Sequence, residues 1–108
     1  MIKIIIYKSK NQFSGFKCLG HAGYNEYSKD IVCSSISVLV INTINSIEQF
    51  TDDKFRVNMD EKSGLIECSF LDSISSDTVL LMNAMILGLT EIKKQYGKTY
   101  IDLKFEEV

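Results

Sequence analysis

Apolar and polar positions follow two rhythms along this chain of 108 residues. Residues 2–8 are apolar and β-branched, which suits a central strand. Ser9-Lys10-Asn11-Gln12 is a polar turn, and residues 13–19 form a second strand, so the pair predicts a hairpin. From Ile31 to about Phe50 the rhythm changes. Val32, Ile36, Leu39, Val40, Ile44, Ile47 and Phe50 recur at helical spacing, with Asp30 where an N-cap belongs and Thr51-Asp52-Asp53 closing the helix. Residues 54–60 and 65–71 alternate again around Glu61-Lys62-Ser63-Gly64, a second hairpin. A second helix, capped by Ser75, Ser76 or Asp77, runs to about Tyr96 with Gly97 as its C-cap. A last strand spans Thr99 to Phe105. The order ββαββαβ predicts an α+β fold of two layers, a mixed sheet packed by two helices, in a single domain over 1–108.

Two segments stand out from this pattern. The second helix is apolar almost all round between Val79 and Leu89, so it needs burial on more than one side. In a domain this small, another subunit can supply the second side. Residues 20–30 carry no hydrophobic period and two glycines, Gly20 and Gly23. A connection that long in a small domain points to function.

Composition narrows the classes. Twelve basic and fourteen acidic side chains leave a net charge of −2, with one arginine, Arg56, and scattered lysines. Nothing there supports a nucleic-acid groove, which needs clustered Lys and Arg. A cationic peptide suits the balance better. Residues 1–8 are too short and strand-like for a signal peptide, and no stretch is expected to join the length and apolarity of a membrane helix, so the expectation is a cytoplasmic protein. The three cysteines, Cys18, Cys33 and Cys68, are odd in number, widely spaced and without a C-x-x-C. With one histidine in the chain they make no zinc set, and all three are read as reduced thiols.

That one histidine, His21, precedes Cys33 by twelve residues. With Asp30 as N-cap, Cys33 would be the third residue of the first helical turn. The unpartnered N–H groups and the positive end of the dipole there favour a thiolate and can donate to an oxyanion. The Asp30 carboxylate works against that thiolate. His21 can pair with Cys33 as base and then protonate a leaving amine. Ser37 follows one turn later, where a serine more often bonds back to a helix carbonyl. Taken residue by residue, a buried inert thiol and a surface histidine explain the pair better than catalysis does.

Gly20-His21-Ala22, then Asp30-Ile31-Val32-Cys33-Ser34, with Ser37 one turn on, resembles the motif of the ribosomal-processing cysteine proteases called Prp. The length and the ββαββαβ order fit as well, so the resemblance spans essentially the whole chain. Ser28 stands where that family usually has glycine, which would stiffen the loop, and Ser34 where it usually has alanine. The resemblance implies an endopeptidase that removes the N-terminal extension of ribosomal protein L-twenty-seven. It implies that His21 and Cys33 are catalytic, with Gly20, Asp30 and Ser37 characteristic of the site. It implies a homodimer that uses no metal or organic cofactor. Two other classes stay in view. A non-enzymatic ribosome-assembly or RNA-associated module would show a basic, salt-sensitive surface. A thiol redox protein would need a resolving partner for Cys33, and none is near in sequence.

Overall fold

The computed structural model describes residues 1–20, 27–96 and 99–108, with residues 27–30 described by their backbone. Five strands and two helices follow one another as β1 (Ile2–Ser9), β2 (Gln12–Leu19), α1 (Tyr27–Phe50), β3 (Phe55–Asp60), β4 (Leu65–Phe70), α2 (Ser76–Tyr96) and β5 (Ile101–Glu107). The sheet order is β3-β4-β2-β1-β5. β1 pairs parallel with β5, and the other pairs are antiparallel, giving the mixed sheet the sequence predicts.

Side-chain alternation makes the sheet two-faced. Ile4 faces Cys18 and Ile6 faces Phe16 across β1–β2, while Cys18 faces Ile66 and Phe16 faces Cys68 across β2–β4. With Ile2 and Ile101 these residues are buried and form the floor of the core. Val32, Ile36, Val40 and Ile44 of α1 and Met82, Met85 and Leu89 of α2 close it from above. The other sheet face carries Lys3, Lys17 and Lys104 among Glu67 and Asp102, and Lys104 lies 3.6 Å from Asp102. Charges of both signs on that face leave no continuous basic surface among these residues.

Local chemistry fixes the turns. Lys10 and Asn11 both have positive φ, 53° and 65°, as a two-residue hairpin turn of the I′ kind requires. In the β3–β4 turn, Asp60 accepts the Lys62 N–H at 3.1 Å and the Ser63 hydroxyl at 3.1 Å, and Gly64 takes a φ of 70°. Ser75 is the N-cap of α2: its hydroxyl oxygen accepts the Thr78 N–H at 3.4 Å, and its carbonyl accepts Val79 N–H at 3.1 Å. Asp53, beyond the end of α1, takes the Ser75 N–H at 2.9 Å and its hydroxyl at 2.7 Å, and also the buried Thr78 hydroxyl. These bonds hold the Asp53 carboxyl below its ordinary value of 3.8. The helices run close together at Gly88, where a Cβ would meet Leu39 Cδ2 at 2.6 Å.

Five expectations change. α1 begins at Tyr27, so Asp30 is its fourth residue and not its N-cap. Asp is favoured both as a cap and within the first turns, so residue type alone did not separate the two. Ser28 accordingly sits in helical backbone as the second residue of α1, where serine is unstrained, and not in a loop. Phe50, at the helix end, is 75% exposed instead of joining the core. A membrane-length stretch also exists after all: Ile31–Phe50 is long and apolar enough to cross a bilayer. Its Val32-Ile36-Val40-Ile44-Ile47 stripe is buried in this fold, and Ser34, Asn42, Asn45 and Glu48 hold the outer face. Gly97 lies outside the described residues. β5 starts at Ile101, two residues later than predicted, and continues to Glu107 because its parallel pairing with β1 extends to Lys8.

Candidate active site

A cavity of about 280 Å³ opens between the N-terminal half of α1 and the turn end of the β3–β4 hairpin. Gly20, Cys33 and Ser37 all line it. Cys33 and Ser37 share a face of α1 because four residues make just over one turn. Ser35, two residues after Cys33, donates its hydroxyl back to the Ile31 carbonyl at 2.7 Å.

Gly20 is fixed by backbone geometry. Its φ is +100°, and a Cβ there would stand 2.9 Å from the Met1 carbonyl oxygen. Its N–H donates to the Ser63 carbonyl at 3.1 Å, which ties the end of β2 to the β3–β4 turn. The residue before His21 is therefore anchored to both the chain start and the hairpin that walls the cavity. His21 itself lies outside the described residues, as does the rest of 21–26. Of the five residues singled out from sequence, the cavity brings together Gly20, Cys33 and Ser37; Asp30 lies within α1 three residues before Cys33.

The helix start alters one part of the expected chemistry. Cys33 is the seventh residue of α1, not the third. Only the first four N–H groups of a helix lack partners, so the amide of Cys33 is taken up by the helix. Oxyanion donors from the first helical turn do not sit at this thiol, contrary to what an Asp30 cap would give.

The three thiols differ sharply. Cys18 and Cys68 are buried, whereas Cys33 is half-buried at the cavity wall. Burial, and secondarily the charge of Cys33, push the Cys18 thiol up to about 11. Burial pushes Cys68 up to about 12. Both stay protonated at neutral pH, and a thiol is a poor nucleophile.

Sequence reasoning missed the apolar walls. Ile36, Ile41, Met59 and Leu65 line the cavity, with Asp60 and Glu61 at the hairpin turn. Ile41 and Met59 are exposed apolar side chains facing a concave surface, which is how binding clefts are commonly built. The alternation of residues 54–60 showed an apolar face at Met59, but nothing local tells that α1 packs beside it. Among the described residues, no group of three or more His, Cys, Asp or Glu side chains is placed to hold a metal ion.

Comparison with known proteins returns a consistent set. The family described as cysteine protease Prp matches residues 1–102. A ribosomal processing cysteine protease Prp of Staphylococcus aureus is 28% identical over 79 residues, covering 73% of this chain and 74% of that protein. The Bacillus subtilis protein of the same description is 25% identical over 101 residues, covering 89% of this chain and 90% of its own. The crystal structure of the S. aureus ribosomal processing protease Prp with a covalently linked product peptide has a TM-score of 0.87 at 25% identity, over 98% of this chain and 100% of that one.

Proposed function

Because the chain belongs to the cysteine protease Prp family, we propose that Cys33 is the nucleophile and His21 the base of a peptidase acting on the N-terminal extension of ribosomal protein L-twenty-seven. The observation that carries this reading is a half-buried thiol at the wall of an apolar cavity, with Gly20 anchored beside it and Ser37 one turn on. The two other thiols are held protonated, so they do not compete.

The chemistry is acyl transfer in two halves. His21 takes the Cys33 proton, and the sulfur attacks the scissile carbonyl. The C–N bond breaks as the imidazolium gives its proton to the leaving amine, which becomes the new N-terminus of the mature protein. The extension stays on Cys33 as a thioester. Water, deprotonated by His21, then attacks that carbonyl, and the extension leaves as a free acid while the thiol is restored. The apolar walls at Ile41, Met59 and Leu65 suit an extended peptide that buries an apolar side chain next to the scissile bond. Gly20 positions His21 through its backbone, Ser37 can hydrogen-bond in the cavity, and Asp30, fourth in α1, stays a supporting residue.

The same proposal includes a single domain over 1–108, a cytoplasmic setting and a homodimer. Supporting the dimer, Leu80 and Leu87 stand seven residues apart on α2, 68% and 63% exposed, and Val38 of α1 is exposed as well. Apolar residues at that spacing fall on one helical stripe.

A peptide spanning the extension junction tests the catalytic assignment. Cys33→Ala and His21→Ala should each lose cleavage by at least about 10³-fold, as removal of a nucleophile or base does elsewhere. Cys68→Ala should keep it. Cleavage by Cys33→Ala at the parent rate would refute the assignment.

A further inference from the structure

Cys18 and Cys33 reach the same cavity from opposite sides, one from the sheet and one from α1. Cys33 packs against the buried cluster that contains Cys18, and both are free thiols. Cys68 belongs to that cluster too, but it does not line the cavity. Cys18 and Cys33 therefore border one open space, with no other element between them and it.

We infer that Cys18 is the resolving thiol for Cys33, and that a peroxide converts the pair into a disulfide that switches the protease off reversibly. This rests on the reading of Cys33 as the nucleophile. The Cys33 thiolate attacks the peroxide O–O bond; it is oxidised to a sulfenic acid while hydroxide leaves. The Cys18 sulfur then attacks the Cys33 sulfur, the S–OH bond breaks, and the Cys18 proton leaves with the hydroxyl as water. Before oxidation, burial and the neighbouring charge keep Cys18 a thiol. Sulfenic acid formation removes that smaller, electrostatic part of the obstacle to deprotonating Cys18, while the larger part, burial, remains. The cavity loses its nucleophile while the bond lasts, and the bond protects Cys33 from irreversible over-oxidation.

The test is hydrogen peroxide treatment of the full chain, blocking of free thiols, and mass mapping of a non-reducing tryptic digest. Cleavage after Lys17, Lys29 and Lys54 puts Cys18 and Cys33 on separate peptides. The expected product is those two peptides joined and two hydrogens lighter, with cleavage lost in step and mostly restored by dithiothreitol. Cys18→Ala, normalised to its own untreated rate, should recover several-fold less after excess peroxide. Cys18→Val serves if the alanine variant folds poorly, and Cys68→Ala should still form the link. No 18–33 peptide, a link with undiminished cleavage, or equal recovery in the Cys18 variants would each overturn the inference. The link is read by mass and the role of Cys33 by the untreated Cys33→Ala variant, so the two ideas fail separately.

Discussion

Cys33 differs from Cys18 and Cys68 in where its sulfur stands, not in its chemistry. It is half-buried where the other two are buried, and although Cys18 also borders the cavity, burial holds Cys18 and Cys68 at about 11 and 12. A limiting alkylating reagent near neutral pH should therefore label Cys33 well before the others in a mass-mapped time course; equal labelling would remove the basis for choosing it. Gly20 makes a second prediction at this scale. An L side chain at a φ of +100°, facing the Met1 carbonyl, should cost about 1–3 kcal/mol. Gly20→Ala should lower the thermal midpoint and also cut cleavage, because the anchor of His21 moves; unchanged values in both would show that the position is tolerant. Gly20, Cys33 and Ser37 were legible in the sequence because their residue types and spacing carry the motif. The position of Cys33 within its helix was not. Asp30 suits a cap and an early helical position equally, and Tyr27-Ser28-Lys29 carry no breaker to decide between them.

Elements were legible wherever period and punctuation agreed. Ser75 appeared among the candidate caps and is the cap found, but its partner Asp53 lies 22 residues away and gave no local signal. That carboxylate ties the end of α1 to the start of α2. Ser75→Ala should cost about 1 kcal/mol, read by chemical denaturation. Asp53 has a folded value below the ordinary 3.8, so its stabilisation is present above that pH and is lost as pH falls through the folded value. Asp53→Ala should lower the melting temperature at neutral pH and flatten its fall below about pH 4. A parallel downward shift at every pH would mean the charge is not the agent. Phe50 shows the opposite limit: its spacing fits the core stripe, yet at the last position of α1 it is exposed. Periodicity reports the face a residue takes, not whether anything lies opposite.

For the molecule as a whole, the ββαββαβ order and the mixed sheet followed from the alternation of strand and helix patterns, whereas the cavity did not. It forms where α1, the end of β2 and the β3–β4 turn converge, through contacts such as Gly20 to Ser63 that no local pattern encodes. The apolar excess of α2 is also a whole-molecule property, since Leu80 and Leu87 stay exposed among the described residues. Leu80→Lys with Leu87→Lys should shift the mass in sedimentation equilibrium from dimer to monomer while the circular dichroism stays native. A parent chain that is already monomeric would place those leucines outside any self-association. Catalysis turns on which atom the scissile carbonyl meets. The direct measurement is the site of covalent capture when the extension peptide carries a chloromethyl ketone at its scissile position. A single adduct on the tryptic peptide containing Cys33 is the predicted result. An adduct on Cys18, or none anywhere while the ordinary peptide is still cleaved, would contradict it.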